Sequence, residues 1–226
     1  MEIDFVITWV DMNDAEWQRD FVKYSNKTEN EKNSVSKARF RDYGLLKFWF
    51  RGVEKFAPWV RKIHFVTCGQ KPEWLDENHP KINLVDHKNF IPEQFLPSYN
   101  SVVIERYLHK IPDLSEHFVY FNDDFYIINH LDKSRFFQDG LPCDISIFQY
   151  NPNWSQWYIR IKNNIRLINL HFDKKEVMNR FHDKWYNPIY GKKLWMNYVM
   201  KFYSKFITLR TPHNAQPFLK SMFEDV

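Results

Sequence analysis

The chain has 226 residues, 19% of them aromatic and only 5 of them glycine, with a formal net charge of +4. That length allows one large domain or two small ones around a sizeable core, and it excludes a scaffold that depends on staples for stability. No Lys/Arg block reaches five and the only cysteines are Cys68 and Cys143, which argues against bulk nucleic-acid binding and against a disulfide framework.

No signal peptide precedes Ile3 and no apolar run approaches a membrane span, so a cytoplasmic setting is expected. The small positive excess suits a phosphorylated substrate or an anionic membrane surface. Most of the aromatic residues are expected in the core, although Tyr and Trp at this density also offer stacking surfaces for sugar or base rings.

Residues 3–10 form an apolar run that reads as a buried strand, and it empties into Asp11-Met12-Asn13-Asp14. A first strand ending in an acidic turn is the usual opening of an α/β nucleotide fold, whose ligands sit beyond the carboxyl ends of strands. Asp11, Asn13 and Asp14 could bind ribose, base or sugar; for Asp14, capping the helix over residues 15–24 is the preferred role. Residues 25–38 are polar and without hydrophobic period, which marks a loop, either an ordinary surface loop or a mobile lid over a nucleotide. Arg39 and Arg41 follow, with Asp42 as the N-cap of an amphipathic helix bearing Leu45, Leu46, Trp49, Val53 and Phe56 and closed by Pro58. Two arginines before a helix N-terminus could clamp a diphosphate, or be solvated surface.

A second strand over residues 61–68 ends at a Gly69-Gln70 turn, and a third, shorter one spans residues 82–87. Asn100 caps a further helix with Val103, Ile104, Tyr107, Leu108 and Ile111 on its apolar face. The run Phe118-Val119-Tyr120-Phe121 then stops at Asn122-Asp123-Asp124 before a second apolar run, residues 125–128. Two adjacent carboxylates between hydrophobic segments are either a polar turn or a site for a hard divalent cation with phosphate oxygens in the open positions. Strict strand geometry would send the two side chains to opposite faces, so either the chain bends there or only one is a ligand.

Beyond residue 128 the pattern loosens. Residues 144–150 read as a strand; 156–170, 174–181, 192–203 and 216–224 read as helical, with Trp154, Trp157, Tyr158, Trp185 and Tyr186 forming an aromatic layer on the acceptor side or in the core. The chain stops at Val226 inside an apparent helix, as expected of a truncated or an atypically short protein. The expectation is α/β: a mostly parallel, Rossmann-like central sheet flanked by helices over residues 1–130, completed by a helical, aromatic-rich part over residues 131–226.

Two ordered sets of residues carry a family resemblance. The first is Asp4 to Asp11 with Asn13 and Asp14. The second runs from Arg39-Phe40-Arg41-Asp42 through Ala57-Pro58-Trp59, Gly69-Gln70, Pro72-Glu73-Trp74-Leu75, Val85-Asp86-His87 and Asn100-Ser101 to Tyr120-Phe121-Asn122-Asp123-Asp124, with a weaker third at Pro212-His213 and Leu219-Lys220-Ser221. In these the chain resembles the Stealth family, bacterial polysaccharide hexose-1-phosphate transferases similar to the catalytic core of the eukaryotic N-acetylglucosamine-1-phosphotransferase. Met12 departs from the glycine usual there, and the family's fourth region has no counterpart.

The resemblance implies transfer of a sugar 1-phosphate from a nucleotide-sugar, most readily a UDP-sugar, to a hydroxyl of a glycan or lipid-linked glycan, in the cytoplasm or at the inner face of the plasma membrane, with peripheral membrane association. It assigns Asp124 and then Asp123 to Mg²⁺ or Mn²⁺ and diphosphate positioning. It makes His213, an imidazole whose ordinary pKa is near neutral, the general base. Trp9, Asp11, Asn13, Arg39, Arg41, Asp42 and Asn100 are the expected substrate contacts, the two arginines on the diphosphate. The competing readings are a metal-dependent glycosyltransferase releasing nucleoside diphosphate, and a non-catalytic nucleotide-sugar-binding module.

Overall fold

The computed structural model describes residues 1–24, 44–149 and 156–224, with Gln156, Trp157, Tyr158 and Arg160 described in backbone only. The expected lid over residues 25–38, Arg39, Arg41, Asp42 and Trp154 lie outside the described residues. The chain divides into two units: Met1–Cys143 with Asn214–Val226, and Asp144–His213.

In the first unit β1 (Ile3–Thr8), β2 (Ile63–Thr67), β3 (Ile82–Asp86) and β4 (His117–Phe121) are parallel in the order β3-β2-β1-β4, and an antiparallel edge strand joins them beside β4. A short hairpin, β5 (Phe137–Gln138) with β6 (Leu141–Pro142), precedes that edge strand, β7 (Gln216–Leu219). The continuous apolar character of β1 follows from burial on both faces, as parallel sheets require. Ile3, Phe5 and Ile7 face a core with Trp49, Val53, Phe65 and Phe121, while Val6 faces a second core with Val66, Leu108, Phe118 and Tyr120. Each such side chain removed from water contributes about 1.5–3 kcal/mol.

Helix α1 (Ala15–Tyr24) follows β1, and α2 (Leu46–Phe56) buries Leu46, Trp49 and Val53 at helical spacing. A Cβ at Gly52 of α2 would lie 2.5 Å from the Ile127 carbonyl oxygen, so only glycine lets the segment after residue 124 lie against this helix. Helix α3 (Ser101–Tyr107) leads into β4.

Asp4 is the polar residue inside β1, fully buried near the sheet's amino edge. Its carboxylate accepts from Arg61 Nε (2.9 Å) and Nη2 (2.6 Å), from the Ser115 N–H (2.8 Å) and from His64 Nε2 (3.0 Å), whose Nδ1 faces Asn83 Nδ2 at 2.9 Å. Burial alone would raise the Asp4 pKa, but the hydrogen bonds from His64, Arg61 and Ser115 outweigh it and bring it down to about 2.

Residues 216–224, expected to be helical, form β7 and then a 3₁₀ turn at Lys220–Phe223. The open side of β4 takes this segment as a fifth strand, with Pro217 opposite Val119 on an edge that tolerates a residue without N–H.

The second unit holds α4 (Gln156–His171), α5 (Lys174–Arg180), α6 (His182–Trp185) and α7 (Trp195–Met200) around Phe148, Ile165, Met178, Trp185, Met200 and Phe206. The strand expected over residues 144–150 is not seen among the described residues 144–149, where one bridge pairs Phe148 with Leu209. The buried Asn197 side chain takes the place of a ladder, accepting from the Phe148 N–H (2.9 Å) and donating to the Ser146 carbonyl (2.7 Å). The helix expected over residues 192–203 is a 3₁₀ stretch, Pro188–Leu194, kinked at Gly191 and followed by the shorter α7.

Candidate functional site

The chain builds β2 and β3 outward on one side of β1, then places β4 on the other side. The space beyond the carboxyl ends of β1 and β4 at such a reversal is the position where open parallel sheets bind their ligands. Ile7 lies opposite Phe121, so the chains leaving β1 and β4 part from the sheet together.

From β1 emerge Trp9, Asp11 and Asn13. The half-buried Trp9 ring packs 5.7 Å from Phe65. The Asp11 loop is held by Gln70: its Oε1 accepts from the Asp11 N–H (2.8 Å), and its Nε2 donates to the Asp11 carbonyl (2.9 Å) and to Asp14 Oδ2 (3.0 Å). Asp11 Oδ1 accepts in turn from the Asn13 N–H (2.8 Å). Asp14 Oδ1 caps α1 through the N–H groups of Glu16 (2.8 Å) and Trp17 (3.2 Å), as its position before the helix predicts. Its carboxyl is held below the ordinary range first by the Gln70 amide and then by those helix donors. Gln70 reaches the loop because Gly69 adopts φ +91°, and a Cβ there would come within 3.2 Å of Asp86 Oδ2.

From β4 emerge Asn122, Asp123 and Asp124. The Phe125 N–H donates to the Asn122 carbonyl (3.3 Å), so the two aspartates occupy the middle of a tight turn and both are exposed. The chain bends here, which removes the opposed-face geometry of a strand. The pair thus sits in the polar turn that was one of its two expected settings, and of the apolar run at residues 125–128 Ile127 alone is buried. Tyr120, buried, ties the turn to its neighbours: its hydroxyl lies 3.2 Å from Thr8 Oγ1, 3.0 Å from Asn122 Oδ1 and 3.4 Å from Glu105 Oε1 of α3.

Asn100 is exposed at the start of α3, where its side chain accepts from the Val102 N–H (3.1 Å) as a helix cap. The neighbouring Tyr99 packs against Trp17 and Phe21 of α1, so this helix entrance stands beside the helix that follows the Asp11 loop. His213 is exposed at the last position of the second unit. Trp9, Asp11, Gln70, Asn100, Asp123 and Asp124 all belong to the first unit.

Two further groups near the strand ends are set aside by their environment. Burial pushes the Cys68 thiol up to about 11 and the His87 imidazole down to about 4, so at neutral pH one is a thiol and the other an uncharged ring. Among the described residues no group of three or more His, Cys, Asp and Glu side chains could hold a metal ion. A pair of exposed carboxylates on a turn therefore fits only an ion whose remaining positions are filled by water and by a ligand's phosphate oxygens, the usual mode for Mg²⁺.

Two family models match the chain: Stealth protein CR1, conserved region 1, over residues 1–29, and Stealth protein CR2, conserved region 2, over residues 39–143. They take in the Asp11 loop, Gln70, Asn100 and the Asp123-Asp124 turn. The capsular polysaccharide phosphotransferase WcwK of Streptococcus pneumoniae is 40% identical over 226 residues, 100% of this chain and 68% of its own length. The chain belongs to the Stealth family. The capsular polysaccharide phosphotransferase eps5J of Streptococcus thermophilus is 39% identical over 92% of this chain and 88% of its own length. The exopolysaccharide phosphotransferase cps2G of Lactiplantibacillus plantarum (strain ATCC BAA-793 / NCIMB 8826 / WCFS1) is 39% identical over 100% of this Stealth chain and 66% of its own length.

Proposed function

We propose that this Stealth-family chain is a phosphotransferase that moves a sugar 1-phosphate from a nucleotide-sugar, a UDP-sugar foremost, to a glycan or lipid-linked glycan hydroxyl. The product is a phosphodiester in capsular or other cell-surface polysaccharide, made at the inner face of the plasma membrane. The observation that carries the reading is the pair of acidic loops flanking the switch point of a parallel sheet, inside the residues matched by the family models. The names of the relatives, capsular and exopolysaccharide phosphotransferases, support the reaction class.

In this reaction the acceptor oxygen attacks the β-phosphorus in line, the bond to the α,β-bridging oxygen breaks, and nucleoside monophosphate leaves. Asp123 and Asp124 would hold Mg²⁺ or Mn²⁺ against the donor diphosphate; such an ion, when bound, neutralises developing charge on the phosphoryl oxygens. Asp11, fixed by Gln70, offers carboxylate acceptors to hydroxyl groups of ribose or sugar, and the Trp9 ring offers an apolar face to the base or the sugar. Asn13 and Asn100 add amide donors and acceptors to the same site. Arg39 and Arg41 keep their assignment to the diphosphate, Asp42 its assignment as a substrate contact, and His213 its assignment as the base that takes the acceptor proton.

The test is mass spectrometry of products formed from a nucleotide-sugar panel, Mg²⁺ or Mn²⁺ and a glycan-acceptor extract. Acceptor-dependent nucleoside monophosphate is expected, and Asp124→Ala should lower turnover at least about a hundredfold while leaving the melting temperature unchanged. Nucleoside diphosphate would instead make the protein a glycosyltransferase, and saturable donor binding with neither product would make it a binding module.

A further inference from the structure

The mild charge of the whole chain conceals a steep division. Asp144–His213 carries twelve Lys and Arg against four Asp and Glu, a net +8 within a chain of +4, which leaves −4 on the remaining residues. No acidic residue occurs between Asp183 and Glu224. Within that acid-free stretch, α7 and the turn after it turn an apolar stripe outward. Trp195, Tyr198, Val199 and Phe202 recur at i, i+3, i+4 and i+7 and all are exposed, Trp195 at 58% and Phe202 at 89%. Lys192 and Lys193 stand before the stripe and Lys201 and Lys205 after it, all exposed.

The helix cannot roll to bury this stripe. Its opposite side is locked by Asn197, which bonds Ser146, Phe148 and the Trp185 carbonyl, and by the buried Lys174, whose Nζ donates to the carbonyls of Met200 and Tyr203 (2.6 Å each). An apolar stripe alone would fit any hydrophobic partner, and lysines alone any polyanion. Aromatic rings bracketed by lysines with no interspersed acid match the headgroup layer of an anionic bilayer, where Trp and Tyr sit at the interface and each lysine gains from the negative surface potential. Among the described residues no helix is long and apolar enough to cross a membrane, so the contact lies in the surface plane.

We propose that the α7 face is a docking surface for anionic phospholipid, which would hold the protein where a lipid-linked acceptor is presented. The inference deepens the membrane placement proposed above and rests on it, but on no step of the transfer chemistry.

Flotation of the full chain with vesicles tests it, using phosphatidylcholine alone and phosphatidylcholine mixed with an equal part of phosphatidylglycerol. Binding to the anionic vesicles only is expected, weakening as salt rises, with a blue shift of tryptophan emission. The pair Lys201→Glu and Lys205→Glu should weaken binding by roughly fivefold or more per lysine. Phe202→Ala should weaken it with unchanged melting temperature and unchanged donor turnover on a soluble acceptor.

Failure to float at low salt, or lysine variants that bind as tightly as the parent, overturns the proposal. So does a dilution-dependent dimer abolished by Phe202→Ala, which would give the stripe to a second copy, and so does displacement from vesicles by RNA. Vesicle binding with no transfer product would count against the proposed reaction and leave this surface standing.

Discussion

The two edges of the central sheet both carry carboxylates and treat them in opposite ways. At the amino edge Asp4 is fully buried and surrounded by Arg61, His64 and the Ser115 N–H, and its pKa falls to about 2. At the carboxyl edge Asp123 and Asp124 stand exposed in a turn, and Asp11 sits half-buried in a loop held by one neutral glutamine. A carboxylate whose oxygens are saturated by protein donors contributes to folding. One kept in a water-exposed turn costs little to fold and keeps its oxygens within reach of a ligand. The difference predicts that damage at the amino edge appears in stability, and damage at the carboxyl edge in substrate handling.

Asp4→Ala should have the largest effect on folding, about 3 kcal/mol in chemical denaturation, because it strips the buried His64 ring and the Ser115 N–H of their acceptor and leaves Arg61 only its exposed partner Asp113. Turnover per folded molecule should hold. The same carboxylate gives a pH signature. Its folded pKa is depressed, so its contribution is complete above the unfolded value near 3.9 and disappears as pH falls toward about 2. Denaturation midpoints of wild type and Asp4→Asn should therefore converge across that window, by about 2–3 kcal/mol. A gap that persisted unchanged at low pH would show that Asp4 is not held as a carboxylate.

Gly52→Ala sharpens the comparison, because it lies on α2 yet acts on the carboxyl edge. The added Cβ would meet the Ile127 carbonyl oxygen at 2.5 Å. A loss of about 1–3 kcal/mol is expected, together with reduced turnover as the residues after Asp124 shift, measured by melting and by initial rates. Retained activity at reduced stability would uncouple this contact from the turn.

Gln70→Leu keeps the side-chain volume but strands the Asp11 N–H and carbonyl, at a cost of about 1–2 kcal/mol. Its distinguishing readout is kinetic: KM for the donor should rise about tenfold with kcat less affected, as for lost ground-state binding. The smallest effect is expected from Tyr120→Phe, about 1 kcal/mol in denaturation and a modest fall in turnover, since Thr8, Glu105 and Asn122 lose a shared hydroxyl.

The parallel strands were legible because β1, β2 and β4 are nearly unbroken apolar runs, and Asp14 and Asn100 were legible as caps because capping is local. Gln70, Tyr120 and Asp4 were not. Each has a defining partner far along the chain, Asp14 at 56 residues from Gln70 and Thr8 at 112 from Tyr120, and nothing in their own neighbourhood distinguishes a clamp from a turn residue, or a buried ion pair from an interruption in a strand. The C-terminal segment misled for a related reason: residues 216–224 carry Phe218 and Met222 at helical spacing, but the open side of β4 outcompetes local preference. The acidic pair was correctly picked out as belonging to a strand end, while its exposure depended on the tight turn closed by Phe125.

The second unit leaves the first after Cys143 and returns at Asn214, and the strands at those two junctions, β6 and β7, pack beside each other. The insertion thus acts as a long loop closed on itself. Closing a loop costs only about 0.6 kcal/mol more for each doubling of its length. Natural variants can therefore lengthen, shorten or exchange the helical insertion at almost no cost in chain entropy to the sheet. During synthesis, however, the fifth strand cannot pair until the whole insertion has been made, so β4 presents an open edge for that interval.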